Sequence, residues 1–204
     1  MTRIWKLVVD FGRMIKFSHT IFALPFALTS FIVSGREFPL TLSKLFWIIV
    51  AMAGARSAAM GFNRIVDARY DAKNPRTISR EIPRGVITQS QAWIFVIIAS
   101  AALVLASYFL NPLCFILSPV ALFFVLFYSL TKRFTATAHI FLGIALAIAP
   151  LGAWIAMSGQ WDWTVFTLGC AVLAWVSGFD IIYACQDYEF DRSEGLFSIP
   201  GRFG

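Results

Sequence analysis

The chain has 204 residues, of which 59% are hydrophobic and 14% are charged, and its mean hydropathy is +0.75. Soluble domains carry about 25% charged residues, so this composition excludes an ordinary soluble protein and indicates a membrane protein. The net charge of +6 does not indicate a nucleic-acid partner, because the basic residues fall in the segments between apolar stretches.

The apolar stretches predict an all-α, polytopic transmembrane bundle that forms a single domain over residues 1–204. A span needs about 20 predominantly apolar residues, and six stretches come near that length. They are 17–34, 42–62, 92–110, 112–130, 138–157 (interrupted by Pro150) and 163–185. With the amino terminus in the cytoplasm, 14 of the 17 Lys and Arg residues lie on the cytoplasmic side, as the positive-inside rule requires. The ends of spans two and six then share that side.

The segment 63–85, NRIVDARYDAKNPRTISREIPRG, combines acids with bases. Asn63, Asp67 and Asp71 follow one another at intervals of four, so they share one face if the helix continues. Such an oxygen-only set suits Mg²⁺. The basic residues that follow it can bind phosphate oxygens; they include Arg76 and Arg80.

A second acidic cluster closes the sixth span, in YACQDYEFDRSEG. Tyr183, Asp187 and Asp191 also step by four, and both aspartates lie 120 residues after their counterparts in the first cluster. One such cluster alone is most simply a solvated helix end. Two copies in an acid-poor chain favour a shared site for a metal-bound diphosphate. An apolar bundle beside it suits the hydrocarbon tail of an isoprenyl diphosphate.

Arg56 lies within span two, seven residues before Asn63 and therefore on a similar helix face. An intramembrane arginine is costly and usually points into a bundle or cavity. Its long side chain can instead reach the membrane interface. The sequence leaves both readings open.

Three motifs resemble those of the UbiA superfamily of intramembrane aromatic prenyltransferases. N-R-x-x-D-x-x-x-D at 63–71, followed by PRTISREIPRG, resembles its first signature, and YACQDYEFDRSEGLFSIP resembles its second. YSLTKRFT resembles the loop between them, whereas Arg64 stands where many relatives have Asp. The resemblance implies a nine-span helical fold, of which about six spans are present. The chain is then incomplete at its carboxy terminus, and low activity is expected from it alone.

The resemblance also implies a reaction: Mg²⁺-dependent transfer of a polyprenyl group from a polyprenyl diphosphate to an aromatic acid. The acceptor would be 4-hydroxybenzoate or a related naphthoate, in ubiquinone or menaquinone biosynthesis at the inner membrane. Metal-binding and catalytic roles fall to Asp67, Asp71, Asp187 and Asp191, with Tyr183 near the ionising carbon. The residues expected to bind substrate are Asn63, Arg56, Arg76, Lys132 and Arg133.

Two other functions are compatible with membrane-embedded acids. A non-catalytic, cation-binding transporter or scaffold also carries them, but transporters more often place charges near the bilayer midplane. Transfer of lipid headgroups uses acids and Mg²⁺ as well, yet the Asp-Gly…Ala-Arg signature of that chemistry is absent from this sequence.

Overall fold

A computed structural model describes residues 3–16 and 24–204, and the regular structure in this part of the chain is entirely helical. The all-α bundle predicted from the sequence is therefore confirmed. A 3-10 turn at Cys185–Asp187 separates α7 from α8. The α-helices are α1 Arg3–Met14, α2 Leu24–Ser34, α3 Leu42–Asp71, α4 Gln89–Leu110, α5 Pro112–Thr131, α6 Ala138–Ser158, α7 Trp163–Ala184, α8 Tyr188–Ser193 and α9 Ile199–Phe203.

Five helical stretches in the described ranges are long and apolar enough to cross a membrane. They contain α3, α4, α5, α6 and α7, which match five of the predicted spans. The helix α2 is shorter, and residues 17–23 of the first predicted span lie outside the described residues. The helix α3 continues nine residues past the predicted end of span two, to Asp71. The first acidic cluster is therefore helical throughout.

Local sequence accounts for several helix ends. Thr88 and Gln91 form a reciprocal capping box that starts α4, three residues before the predicted start of that span. Asn111 ends α4 and, through its side chain, caps the first turn of α5. Gly159 terminates α6 with φ at 72°, a left-handed conformation that favours glycine.

Helix α6 lies centrally and packs against α2, α5 and α7. The predicted interruption at Pro150 is wrong, because α6 is continuous from Ala138 to Ser158. A proline removes only one backbone hydrogen bond, and neighbouring helices in a bundle allow the helix to persist.

Close contact also joins α3 to α4: a Cβ atom at Gly54 would lie 2.8 Å from the carbonyl oxygen of Ala99. Only glycine permits that approach.

Candidate active site

The first acidic cluster occupies the last three turns of α3. Asp67 and Asp71 are buried, with 2% and 5% of their surfaces exposed. The amide of Asn63 donates a hydrogen bond to Oδ2 of Asp67 over 3.1 Å. The four-residue spacing therefore places the amide and the first carboxylate in contact, on a continuous helix.

Two cations from the segment after α5 compensate Asp67. Nζ of Lys132 lies 2.9 Å from Oδ2, and a terminal nitrogen of Arg133 lies 2.8 Å from Oδ1. Arg133 also donates to the carbonyl oxygens of Val66 and Ser129, each over 2.7 Å. It therefore fastens α3 to the end of α5 as well as neutralising a buried charge.

Asp71 is compensated separately, by the loop that follows α3. One terminal nitrogen of Arg80 donates to both carboxylate oxygens, over 2.7 and 2.8 Å. Burying a carboxylate without such a partner is strongly unfavourable. The cations that neutralise the two aspartates thus come from two loops. Arg80 lies between α3 and α4, and Lys132 and Arg133 lie between α5 and α6.

The second acidic cluster is built differently. Its three predicted members lie on three successive elements, since Tyr183 is in α7, Asp187 in the 3-10 turn and Asp191 in α8. The even spacing therefore does not correspond to one straight helix face. Asp187 and Asp191 are both partly exposed. The carboxylate of Asp191 has no hydrogen bond or ion pair within the described ranges.

The loop after α3 joins the two clusters. Nε of Arg76 donates to Oδ1 of Asp187 over 2.9 Å, and a second guanidinium nitrogen is paired with Oδ2. The side chain of Asn74 donates to Oδ1 as well, over 3.0 Å. The hydrogen bond that Arg76 donates to Asp187 raises the pKa of the guanidinium above its ordinary value. Lys73 and Glu194 add a second bridge, with a separation of 2.6 Å.

Tyr183 lies beside this bridge. Arg76 donates to its hydroxyl oxygen over 3.2 Å, and the guanidinium carbon lies 5.6 Å from the ring centroid. Tyr183 is 39% exposed and is not among the residues that line the large cavity of the described bundle. The structure therefore places Tyr183 beside the Arg76–Asp187 pair and outside that cavity.

An apolar cavity of about 610 Å³ lies within the bundle, lined by residues of α2, α3, α4, α5, α6 and α7. Arg56 lines this cavity, and its buried Nε has no hydrogen-bond partner among the described residues. Of the two readings left open by the sequence, this placement corresponds to the side chain facing the bundle interior. Tyr128, one turn before Lys132, also lines the cavity.

Sequence reasoning missed several contributors to this end of the bundle. Asn74, which follows the acidic helix in an Asn-Pro pair typical of a turn, bridges to Asp187 and accepts from the backbone N–H of Arg76 over 2.9 Å. His139 contacts Asp180 over 2.7 Å, and its Nε2 accepts a hydrogen bond from the N–H of Ile199 over 3.3 Å. Neither long-range pairing leaves a signal in a single sequence.

Comparisons with known proteins place this arrangement in a family. A model of the UbiA prenyltransferase family matches residues 23–204. The 4-hydroxybenzoate octaprenyltransferase of Vibrio campbellii is 33% identical over 152 residues, which are 73% of this chain and 52% of that protein. The enzyme of the same name from Francisella tularensis subsp. novicida is 29% identical over 178 residues, 87% of this chain and 62% of that protein. The chain thus spans little more than half the length of these curated relatives.

Solved structures agree with this assignment. The apo structure of a UbiA homologue from Aeropyrum pernix K1 superposes with a TM-score of 0.85 and 37% identity, covering 92% of this chain and 70% of that one. A UbiA homologue from Archaeoglobus fulgidus bound to GPP and Mg²⁺ shares the fold, with a TM-score of 0.78 and 20% identity over 96% of this chain and 69% of that one. The chain is a multi-pass membrane protein and belongs to the UbiA prenyltransferase family.

Proposed function

We propose that this chain provides the diphosphate-binding end and part of the hydrophobic chamber of a prenyltransferase. The polyprenyl group would pass from a polyprenyl diphosphate to an aromatic acid. The observation that carries the proposal is the approach of two acidic clusters at one end of an apolar cavity. Arg76, from the loop after the first cluster, pairs with Asp187 of the second, and Lys132 and Arg133 pair with Asp67. This combination suits an anionic head and a hydrocarbon tail in one molecule.

The donor set fits Mg²⁺ chemically, since Asp67, Asp71, Asp187 and Asp191 offer carboxylate oxygens only. Within the described part of the chain, no three His, Cys, Asp or Glu residues gather tightly enough to hold one ion. Each ion would therefore take few carboxylates and complete its shell with water and diphosphate oxygens, as Mg²⁺ usually does. Bound in this way, Mg²⁺ would neutralise the charge that develops on a departing diphosphate.

The basic side chains would bind the same head group. Arg76, Lys132 and Arg133 now pair with the aspartates, so binding of a metal-diphosphate would let them turn from carboxylate to phosphate oxygens. In the reaction, the bond between the allylic carbon and the diphosphate oxygen breaks, and its electron pair leaves with the diphosphate. A ring carbon of the acceptor then forms the new carbon–carbon bond, and the proton on that carbon is lost.

The acceptor's carboxylate would pair with Arg56. The buried Nε of this side chain has no partner among the described residues, and the cavity wall around it is otherwise almost entirely apolar. A charge-assisted hydrogen bond to a carboxylate would satisfy it. The names of the curated relatives favour 4-hydroxybenzoate as this acceptor, with a hydroxylated naphthoate as the second candidate. The active-site loops would face the cytoplasm at the inner membrane, as the charge distribution predicts.

The test uses membranes that contain the chain, incubated with a labelled polyprenyl diphosphate and a panel of aromatic acids. We expect Mg²⁺-dependent binding of the labelled diphosphate, and a lipid-soluble prenylated acid as product, formed at the low rate expected of this chain alone. Chelation should abolish both, and added Mg²⁺ should restore them. The Archaeoglobus fulgidus homologue was solved with GPP and Mg²⁺, so Mg²⁺ is the first cation to add.

The alternative of a cation-binding transporter or scaffold makes the opposite prediction. Such a protein would bind the cation without any diphosphate, and it would neither bind the prenyl diphosphate nor convert it to product. Cation binding that is indifferent to the prenyl diphosphate would therefore overturn the proposal and favour the alternative.

A further inference from the structure

Helix α1 has an apolar surface that the described protein covers only in part. Its carboxy-terminal end is packed, since Met14 and Ile15, the residue that follows the helix, are almost fully buried. Its amino-terminal half is not, since Trp5 and Val8 are 54% and 56% exposed. The same helix therefore has one end docked on the bundle and three large apolar side chains, including Leu7, left open.

The position of α1 relative to the spans is fixed by two contacts. The ring of Phe11 stacks on Phe95, with centroids 4.9 Å apart, near the start of the membrane helix α4. Buried Arg64, between Asn63 and Asp67 on α3, donates to the carbonyl oxygen of Met14 over 3.1 Å. Helix α1 therefore lies at the membrane boundary where the acidic clusters also lie.

Helix α4, on which Phe11 of α1 stacks, has exposed apolar residues of its own. Trp93, Ile94 and Ile97 are 43%, 58% and 63% exposed, and they belong to a helix apolar enough to span the membrane. Lipid is the ordinary environment of such residues. The exposed apolar residues of α1 belong to a helix that packs near the start of α4, so lipid is a suitable environment for them too.

Charge identifies the kind of lipid. The first sixteen residues contain Arg3, Lys6, Arg13 and Lys16 against the single acid Asp10. Charged residues within α1 recur at intervals of three or four along the sequence, which is the spacing of one helical face. Basic amphipathic helices of this type lie in the interface plane and are attracted to anionic headgroups.

We infer that α1 is an interfacial helix seated on the bilayer surface, with Trp5 and Val8 in the acyl boundary and Arg13 on anionic lipid headgroups. Arg64 binds the end of α1 and lies on α3 beside Asn63. A helix seated on the bilayer surface would therefore be attached directly to the helix that carries the first acidic cluster. The partner is the lipid surface itself, and no substrate is needed for the contact to form.

The test places a spin label at Val8→Cys in the 204-residue chain, with Cys114, Cys170 and Cys185 replaced by alanine. The protein is reconstituted into phosphatidylcholine vesicles with or without phosphatidylglycerol. Collision with oxygen, which concentrates in lipid, is compared with collision with a water-soluble nickel complex. We expect the Val8 label to favour oxygen, more so in the anionic vesicles, and a matched label at exposed Arg13 to favour nickel.

Each other outcome overturns the inference. Strong nickel collision at Val8 would mean that the helix faces water, and weak collision with both reagents would mean that protein covers it, as in an oligomer. Arg13→Glu should reduce the preference of the Val8 label for oxygen in anionic vesicles and leave it unchanged in neutral ones. No dependence on lipid charge would overturn the role of anionic headgroups. Since no substrate is present, failure here would leave the prenyl-transfer proposal untouched.

Discussion

The two acidic clusters share a sequence spacing but differ in structure. Asp67 and Asp71 lie buried on a continuous helix, and each is neutralised by cations from another segment. Asp187 and Asp191 lie on a 3-10 turn and a short helix, and both are partly open. Only one of this second pair, Asp187, has an ion-pair partner among the described residues, namely Arg76.

This difference indicates that the two clusters are held in place to different degrees. The first cluster is a fixed part of the bundle, because its charges are buried and because Arg133, which pairs with Asp67, also binds two backbone carbonyl groups. The second cluster is held by a loop residue that is itself partly exposed. The carboxylates of the first cluster are therefore held more rigidly than those of the second.

The largest expected effect comes from removing a carboxylate charge in either cluster. If both hold metal-diphosphate, Asp67→Asn and Asp187→Asn should each lower prenyl transfer at least about a hundredfold, because metal-assisted departure of the diphosphate contributes several kcal/mol. Rates are measured with saturating acceptor, and binding of the labelled diphosphate is followed in parallel. A loss confined to Asp67→Asn would show that the second cluster is not part of the site.

Asp162→Asn is the matched control for this experiment. Asp162 is partly exposed just before α7 and accepts a hydrogen bond from the N–H of Thr164 over 2.6 Å. Asparagine caps a helix about as well as aspartate, so this variant changes the same charge without disturbing the fold. It should retain unaltered transfer.

The comparison also shows where sequence reasoning succeeds and where it stops. The spacing of Asn63, Asp67 and Asp71 predicts one helix face, and α3 does continue to Asp71. The identical spacing around Asp187 gives no sign of the 3-10 turn, because a break of that kind depends on packing around it. Pairings such as Arg76 with Asp187 join residues 111 positions apart, and a single sequence cannot say which base reaches which acid.

The second prediction tests the difference in burial through stability. Arg133→Gln should lower the free energy of unfolding by about 2 kcal/mol, since it weakens compensation of a buried carboxylate while Lys132 remains. Arg76→Gln should cost less than about 1 kcal/mol, because its pair is partly exposed and screened. Thermal unfolding in the same detergent compares them. Equal losses would mean that the two clusters are equally structural.

The third prediction separates acceptor recognition from both clusters. Arg56→Gln should raise the KM for the aromatic acid by about tenfold, equivalent to about 1.4 kcal/mol of lost binding. The KM for the polyprenyl diphosphate should stay the same, because Arg56 lies in the cavity, away from the two clusters. Arg56→Lys, which keeps the charge, should recover part of the loss. A change in diphosphate KM alone would assign Arg56 to the head group instead.

The smallest expected effect concerns Tyr183, which distinguishes support of Arg76 from direct participation in ionisation. Its hydroxyl accepts from Arg76, and its ring also contacts the guanidinium. Tyr183→Phe removes only the hydroxyl, so it should weaken diphosphate binding by at most about fivefold, the equivalent of one ordinary hydrogen bond of about 1 kcal/mol. Tyr183→Leu also removes the aromatic face and should cost more.

If Tyr183 acts through Arg76, these losses appear in the KM for the diphosphate and disappear in an Arg76→Gln background. A fall in kcat that persists in that background would instead place the ring beside the ionising carbon. Tyr183 would then take part in the reaction directly, and its role would not be limited to supporting Arg76 in the second cluster.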